Sequence, residues 1–299
     1  MVYTVTLNPA LDYILKTKKF EIGKENRSTE EITLPGGKGI NVSLILKELE
    51  IESNAIGFIA GYVGEKIEQL INEKGIETDF VKIPKEVSRI NVKITNKEDE
   101  TAINCKGPYI EKIYIEKLYE KLQKINKNDT LVLSGSIPQG ISNDIYKEIC
   151  KRIKNTQAKV VVDATGDLLI NTLEYHPFLI KPNINELQDI FKTKISNKDE
   201  ALEYAEKLQE KGAKNVLVSM GGDGSVLLDE NGYSYKMNSI TNGERINTVG
   251  AGDSMVAGFI AGYEKYHSCE KALQLGAACR NSNGKFYIFG NTKRNWLFI

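Results

Sequence analysis

The chain contains the sequence VGAGDS at residues 249–254, where a glycine-rich turn and a carboxylate come directly before an apolar stretch. That stretch, MVAGFIAGY at 255–263, predicts a buried helix. Because a helix N-terminus carries partial positive charge and bare backbone N–H groups, the turn suits an anion such as phosphate. Asp253 would repel a phosphate, which favours a proton acceptor placed where a hydroxyl attacks a phosphoryl group. The alternative is an ordinary N-cap aspartate.

A second glycine-rich segment, VLVSMGGDGSVLL, occupies residues 216–228. Two strand patterns flank its glycines, and this arrangement also occurs in an ordinary β-hairpin. Several glycines cost more conformational entropy than a hairpin requires. That cost is reasonable where the backbone must come close to a nucleotide, so this segment is a candidate nucleotide contact.

The sequence PFLIKPNINE at residues 177–186 predicts a strand that ends just before a helix. Asn183 and Glu186 have the spacing of a capping box, in which each side chain bonds the other residue's backbone N–H. Their oxygens also suit Mg²⁺, usually through bridging waters. The two interpretations are compatible.

Strand patterns alternate with helix patterns along most of the chain, which predicts a largely parallel sheet with helices on both faces. The predicted strands are 2–7, 54–59, 130–134, 160–163, 178–181 and 215–219. The predicted helices include 41–49, 64–74, 141–154 and 199–211.

Residues 12–34 and 88–105 break this alternation, because polar and apolar side chains alternate there without a helix pattern. Such a pattern is typical of antiparallel strands with one exposed face. We therefore predict one small β-sheet assembled from both segments. Two unrelated surface hairpins are the alternative.

Composition is typical of a globular enzyme without a charged partner. The 299 residues include 40 basic and 40 acidic side chains, so net charge gives no support for a nucleic-acid or membrane partner. Four scattered cysteines and two histidines lack metal-ligand spacing, which predicts free thiols in a reducing compartment. Because no span of about twenty apolar residues occurs, we expect a cytoplasmic protein.

The segment PGGKGINV at residues 35–42, together with the turn at 250–253, resembles the two signatures of PfkB-type sugar kinases of the ribokinase-like superfamily. The resemblance covers nearly the whole chain. It implies one kinase domain over 1–299, a three-layer α/β/α sandwich with a mainly parallel sheet, and a discontinuous β lid from about 12–34 and 88–105. It also implies a homodimer that pairs through the lid.

The implied reaction is the ATP-dependent phosphorylation of fructose 1-phosphate at its 6-hydroxyl, with Mg²⁺ as cofactor. The resemblance assigns residues to four roles. The proton acceptor and its anion-binding turn are Asp253, Gly250, Ala251 and Gly252. The sugar-phosphate group consists of Asp12, Gly36, Gly37, Lys38, Asn41, Arg89, Asn91 and Ser136. The ATP group consists of Lys181, Ser219, Gly221, Gly222 and Gly224. The metal-linked residues are Asn183 and Glu186.

Two cationic side chains, Lys38 and Arg89, favour a sugar that already carries phosphate, since guanidinium binds phosphate in a bidentate manner. A tagatose 6-phosphate kinase, or another phosphosugar kinase, would use the same scaffold and remains an alternative. A protein that only binds phosphosugar or nucleotide would keep the glycines and lose the base. Because Asp253 is present, we rank that alternative last.

The C-terminal segment departs from the family pattern. After Cys279, small residues are expected, but residues 280–299 read RNSNGKFYIFGNTKRNWLFI. We hypothesise a reading-frame change near Cys279, which nucleotide sequencing across that codon would test. If this tail is the true one, packing on the adenine side is in doubt.

Overall fold

The computed structural model describes residues 1–96, 99–239 and 250–286, and for 281–286 it describes the backbone alone. The strands in these residues are β1 (Val2–Thr6), β2 (Ala10–Thr17), β3 (Ser28–Gly36), β4 (Ser53–Ala60), β5 (Glu77–Ile83), β6 (Arg89–Thr95), β7 (Glu100–Ile103), β8 (Thr130–Ser134), β9 (Lys159–Asp163), β10 (Leu179–Ile180), β11 (Asn215–Ser219), β12 (Ser225–Leu228) and β13 (Ser234–Met237).

The α-helices of the same residues are α1 (Lys38–Glu48), α2 (Gly61–Glu73), α3 (Lys112–Leu122), α4 (Ile145–Ile153), α5 (Asp167–Ile170), α6 (Ile184–Phe191), α7 (Lys198–Glu210), α8 (Ala251–Tyr266) and α9 (Cys269–Phe286). A short 3-10 helix, Gly221–Asp223, joins β11 to β12.

A central sheet of nine strands has the order β13-β12-β11-β10-β9-β8-β1-β4-β5. All neighbours from β11 to β5 are parallel, whereas β12 and β13 add an antiparallel edge. Parallel neighbours require crossover connections, which the helices supply. The α/β prediction is confirmed, and each of the six predicted strands is present with its ends displaced by no more than one residue.

Helices cover both faces of this sheet. On one face Val42 of α1 and Met255 of α8 pack with Val132 of the sheet. On the other face Leu118 of α3 and Ile149 of α4 belong to a second apolar cluster. Strands β4, β8 and β11 are buried along their whole length, as expected for strands covered on both sides. The predicted three-layer sandwich is therefore confirmed.

A separate four-stranded sheet has the order β3-β2-β6-β7. The two predicted segments do join, but the prediction of antiparallel strands is wrong at their junction, since β2 and β6 are parallel. Both strands follow parallel strands of the central sheet, β1 and β5, and therefore leave the same edge in the same direction. One-sided burial is also not observed, because every β2 residue after Ala10 is half-buried.

Three predicted helix starts are displaced by three or four residues, and one of these is α2, which begins at Gly61 rather than Gly64. Helix α1 begins at Lys38 rather than Asn41, because the Asn41 side chain bonds Asp253 instead of capping the helix. Helix α4 begins at Ile145, four residues later than predicted, because the carbonyl of Ser142 accepts the Ile145 N–H in a turn that precedes the helix.

Helices α8 and α9 meet backbone to backbone. A Cβ placed on Gly258 would lie 2.8 Å from the Cα of Gly276, and one on Gly262 would lie 2.8 Å from the Cα of Ala272. Glycine at these positions therefore allows a contact that any larger residue would prevent.

The atypical tail begins inside α9, which continues past Cys279 to Phe286. Residues 287–299 lie outside the described residues, so the interpretation of that part of the tail stays a prediction.

All four cysteines are free thiols, as predicted from the sequence. Within the described ranges, no helix combines the length and apolarity needed to cross a membrane.

Replacing Gly258 by alanine is expected to lower the free energy of unfolding by about 1–3 kcal/mol, because the new methyl group meets the backbone of α9, which cannot rotate away. Gly222→Ala is the matched control, since a Cβ there meets nothing within 4 Å. Urea unfolding followed by far-UV circular dichroism measures both variants. Equal stability of the two would contradict the close helix contact.

Candidate active site

The glycine-rich turn before α8 has the geometry of an anion site. Gly250 is the N-cap in a left-handed conformation (φ 78°), which favours glycine, and no side chain caps the helix. The backbone N–H groups of the first turn, from Ala251 to Asp253, have no acceptor within an α-helix. Because α8 spans sixteen residues, its dipole adds positive potential at this end. Val249, which belongs to the sequence motif, lies outside the described residues.

Asp253 is buried in the first turn of α8, with 5% of its surface exposed. Its Oδ2 accepts a hydrogen bond of 2.7 Å from Nδ2 of Asn41. Burial and the nearby Asp163 carboxylate raise the pKa of Asp253 to about 6, against the opposing effects of Lys38, Asn41 and Lys181. A carboxylate with a pKa near neutrality can exchange a proton with a hydroxyl at physiological pH.

An ion triad lies beside Asp253, in which Asp163 and Lys181 are buried and Lys38 is partly exposed. Oδ1 of Asp163 is 3.2 Å from Nζ of Lys38 and 3.2 Å from Nζ of Lys181. Burial acts to raise the pKa of Asp163, but the ammonium groups of Lys181 and Lys38 outweigh it and hold that pKa below its usual range. Burial lowers the pKa of Lys38, and the carboxylates of Asp163, Asp253 and Glu186 raise it further than burial lowers it. Lys38 therefore stays charged.

Asp163 is a site residue that the sequence analysis missed. Its side chain is almost wholly buried, and Oδ2 receives no hydrogen bond from the residues that the structure describes. Its position could have identified it from the sequence, because Asp163 follows the apolar run Val160-Val161-Val162 and ends the strand. Ligands of open α/β sheets bind beyond the carboxyl ends of strands.

Lys181 of the triad lies next to the anion-binding turn at Gly252. A Cβ placed on Gly252 would lie 3.2 Å from Nζ of Lys181. The absence of a side chain therefore lets an ammonium group approach the N-terminus of α8. Together, the turn and Lys181 can hold a multiply charged anion beside Asp253.

A second polar cluster lies at the base of the four-stranded sheet. The Asp12 carboxylate accepts hydrogen bonds from Nδ2 of Asn91, at 3.0 Å, and from Nζ of Lys93, at 2.7 Å. A Cβ placed on Gly36 would lie 2.7 Å from this carboxylate, so glycine makes room for it. Lys93 was missed from the sequence, although its spacing from Asn91 puts both side chains on one face of β6.

Arg89 begins β6 and is anchored to backbone carbonyls. Its Nε donates to the carbonyl of Asn8 at 3.1 Å, and one terminal nitrogen donates to that of Cys105 at 3.2 Å. These bonds use two of the five N–H donors of a guanidinium group. The remaining donors can bind a phosphate, and the anchoring bonds hold the group in place for it.

The remaining residues of the predicted sugar group have different surroundings. Cβ atoms added to Gly37 and Gly39 would lie 2.6 and 2.5 Å from the Thr6 side chain, so these glycines allow close packing of α1 against β1. Ser136 is exposed in the loop after β8. A Cβ on the adjacent Gly135 would lie 3.6 Å from the Cβ of Lys38, which brings this loop close to the triad.

Strands β11 and β12 form an antiparallel hairpin around the glycines, an arrangement that is compatible with the predicted nucleotide contact. Cβ atoms added to Gly221 or Gly222 would meet nothing within 4 Å, so a ligand can approach the backbone there. Gly224 is a structural requirement, because a Cβ on it would lie 2.0 Å from the carbonyl oxygen of Met237. Ser219 is buried and pairs with Asn183 in an isolated bridge, which joins the hairpin to the start of α6.

Asn183 and Glu186 form the predicted capping box. The Asn183 N–H donates to Oε2 of Glu186 at 2.8 Å, and the Glu186 N–H donates to Oδ1 of Asn183 at 2.9 Å. Among the described residues no group of three or more His, Cys, Asp or Glu side chains could hold a metal ion. The donors present fit Mg²⁺ that arrives with phosphate oxygens and waters as most of its ligands, with Glu186 as a nearby carboxylate.

Comparison with known proteins places this site in a family. The chain belongs to the family described as pfkB family carbohydrate kinase, whose model matches residues 6–280. That match ends at the residue where the atypical tail begins.

Two curated relatives and one solved structure illustrate the similarity. The 1-phosphofructokinase of Bacillus subtilis is 43% identical over 92% of this chain and 90% of its own. The D-tagatose-1-phosphate kinase of Bacillus licheniformis is 36% identical over 93% and 90%. The crystal structure of phosphofructokinase-2 from Escherichia coli in complex with fructose-6-phosphate has a TM-score of 0.88 and 25% identity, covering 94% of this chain and 93% of that one.

The environment of Asp253 predicts a pH-dependent effect on stability. Its pKa of about 6 exceeds the value near 3.9 of an unfolded aspartate, so wild-type stability falls as pH rises through this window. Asp253→Asn removes the free-energy cost of ionising this buried side chain in the folded protein. We expect the variant to be more stable than wild type by about 1–3 kcal/mol at pH 8, with a smaller difference at pH 5.

Urea unfolding at the two pH values measures this effect. Asp189→Asn, an exposed site on α6, is the matched control and should change stability little at either pH. A stability difference between Asp253→Asn and wild type that is the same at pH 8 and pH 5 would contradict the raised pKa.

Proposed function

We propose that this protein transfers the γ-phosphoryl group of ATP to the 6-hydroxyl of fructose 1-phosphate, giving ADP and fructose 1,6-bisphosphate. The observation that carries this proposal is the buried Asp253, with its pKa raised to about 6, at the uncapped N-terminus of α8 and beside two lysines. The identity of 43% to a 1-phosphofructokinase supports the choice of substrate.

Asp253 is the general base in this mechanism. Its carboxylate takes the proton of the 6-hydroxyl as that oxygen attacks the γ-phosphorus and the bond to the β-phosphate oxygen breaks. Asn41 donates to Oδ2 and orients the carboxylate. A positioned general base is typically worth about 10²–10⁴-fold in rate.

The transferring phosphoryl group is held by fixed positive potential. Backbone N–H groups of residues 251–253 face its developing charge, and Lys181 reaches the same place through the gap at Gly252. One such donor is typically worth about 10²–10³-fold in rate. Magnesium bound with ATP supplies charge neutralisation of the phosphates, near Asn183 and Glu186.

The two substrates approach from opposite sides of the triad. The nucleotide lies along Ser219 and the turn Gly221–Gly224, whose backbone is open at Gly221 and Gly222. The sugar lies at the base of the four-stranded sheet. Its hydroxyls bond Asp12 and Asn91, and its 1-phosphate is bound by Arg89 with Lys38. Lys93 neutralises Asp12, so the base of the sheet does not repel the incoming phosphate.

A tagatose phosphate is the second candidate substrate. The D-tagatose-1-phosphate kinase of Bacillus licheniformis is 36% identical to this chain. Fructose and tagatose differ only in the configuration of one hydroxyl, and the same donors can bind both. The higher identity to a 1-phosphofructokinase places fructose 1-phosphate first.

The first test compares substrates. Purified protein with Mg-ATP is assayed for ADP release with fructose 1-phosphate, tagatose 1-phosphate, tagatose 6-phosphate, fructose 6-phosphate and fructose. We expect the highest kcat/KM with fructose 1-phosphate. A higher value with either tagatose phosphate would reassign the substrate, and no turnover on any sugar, with Mg-ATP still bound, would indicate a binding protein.

The second test concerns the base. Asp253→Asn should lower kcat by about 10²–10⁴-fold and leave the Kd for fructose 1-phosphate within a few-fold of wild type. Because the base must be ionised, wild-type kcat/KM should fall as pH decreases through about 6. Unchanged turnover in the variant, or a flat pH profile between 5 and 8, would refute this role.

We also propose that the whole chain, 1–299, forms one kinase domain and that the four-stranded sheet is a lid through which two copies pair. Strand register puts Ile14, Ile32 and Leu34 on the same face as Asp12. All three side chains are half-buried, which leaves an apolar surface beside the sugar site. A second copy would cover it.

Light scattering after size exclusion tests this pairing. Ile14→Glu should shift a dimer to monomer at micromolar concentration, because a charge would be buried at the interface. Ile113→Glu, at an exposed position on α3, is the matched control and should leave the mass unchanged. A wild-type protein that is monomeric, or a dimer that withstands Ile14→Glu, would refute pairing through the lid.

A further inference from the structure

Arg280 connects the end of α9 to the hairpin turn. One terminal nitrogen of its guanidinium donates to the carbonyl of Gly224 at 3.1 Å, and the other donates to that of Gly221 at 2.5 Å. The side chain is half-buried, and its partners lie more than fifty positions away along the chain. This residue is the first of the atypical tail, for which the sequence analysis expected a small side chain.

The two carbonyls are the ends of one tight turn. The Gly221 oxygen also accepts the N–H of Gly224 at 3.2 Å, and the Gly224 oxygen also accepts the N–H of Met220 at 2.8 Å. The planar fork of Arg280 therefore braces a turn that is already closed by backbone hydrogen bonds. A lysine ammonium lacks the rigid fork that spans two acceptors in this way.

Arg280 is itself held in a fixed position. The preceding Cys279 is buried, and a Cβ on Gly258 of α8 would lie 2.9 Å from its sulfur. A Cβ on Gly276 would lie 2.8 Å from the carbonyl oxygen of Met255. Because α9 is packed this closely on α8, the position of Arg280 is tied to the helix whose first turn contains Asp253.

We infer that Arg280 is a positioning residue for the nucleotide, which it serves by bracing the turn Gly221–Gly224 against the α8–α9 pair. The inference rests on the proposed function, in which this turn binds ATP and the N-terminus of α8 binds the transferring phosphoryl group. Bracing sets the distance between these two nucleotide contacts. The residue does not touch the reacting atoms, so its effect falls on ATP binding rather than on the sugar.

The test measures binding of Mg-ATP by calorimetry in the absence of sugar. Arg280→Met, which keeps an unbranched side chain without donors, should raise the Kd for Mg-ATP about tenfold, a change of about 1.4 kcal/mol. Arg280→Lys should give an intermediate Kd. Lys271→Met on the exposed face of α9 is the matched control and should bind like wild type.

Kinetics separate positioning from a general structural role. For Arg280→Met we expect the KM for ATP to rise with the Kd while the KM for fructose 1-phosphate changes less than twofold. A Kd for Mg-ATP within twofold of wild type, or tighter binding by the variant, would overturn the inference. An equal loss of affinity for both substrates together with a large fall in Tm would also overturn it.

Two readouts keep this inference distinct from the proposed function. If wild type binds Mg-ATP but phosphorylates none of the sugars, the proposed function fails, and the calorimetric comparison still tests Arg280. If Arg280→Met does not fold, as judged by circular dichroism, then Arg280→Lys carries the test, and a Kd equal to that of wild type would refute the inference.

Discussion

One buried carboxylate, Asp163, connects the two halves of the candidate site. It lies at the end of β9 and forms ion pairs with two lysines. Lys38 is at the start of α1, and Lys181 comes just after β10. An isolated buried charge is very costly, and a buried ion group is tolerated when its members pair well. The three side chains therefore depend on each other, and their pairing joins the start of α1 to the segment after β10.

The charge balance of this group also sets the chemistry available to Asp253. Burial makes the Asp253 carboxyl group harder to ionise, and the neighbouring Asp163 carboxylate adds to this effect, so the pKa of Asp253 rises to about 6. The two ammonium groups and Asn41 limit that rise. The formal charges of the two carboxylates and the two lysine side chains balance when both carboxylates are ionised.

Local patterns predicted much of this arrangement. The capping box of Asn183 and Glu186, the hairpin around Gly221 and the helix after Gly250 each depend on residues close in sequence, and all three are present. The parallel junction of β2 with β6 was mispredicted, because it depends on where two distant segments leave the central sheet. Asp163, Lys93 and Arg280 were missed because their partners lie far away along the chain.

Local sequence patterns were enough to predict the α/β class, the order of the elements and the glycine turns, because helix and strand periodicity and glycine φ preferences are local properties of the chain. Tertiary structure alone decided which charges meet. The Asp163 triad, the hydrogen bond from Asn41 to Asp253 and the brace from Arg280 join segments between eighteen and more than two hundred residues apart. Their energies depend on distance and burial, which only the packed fold specifies.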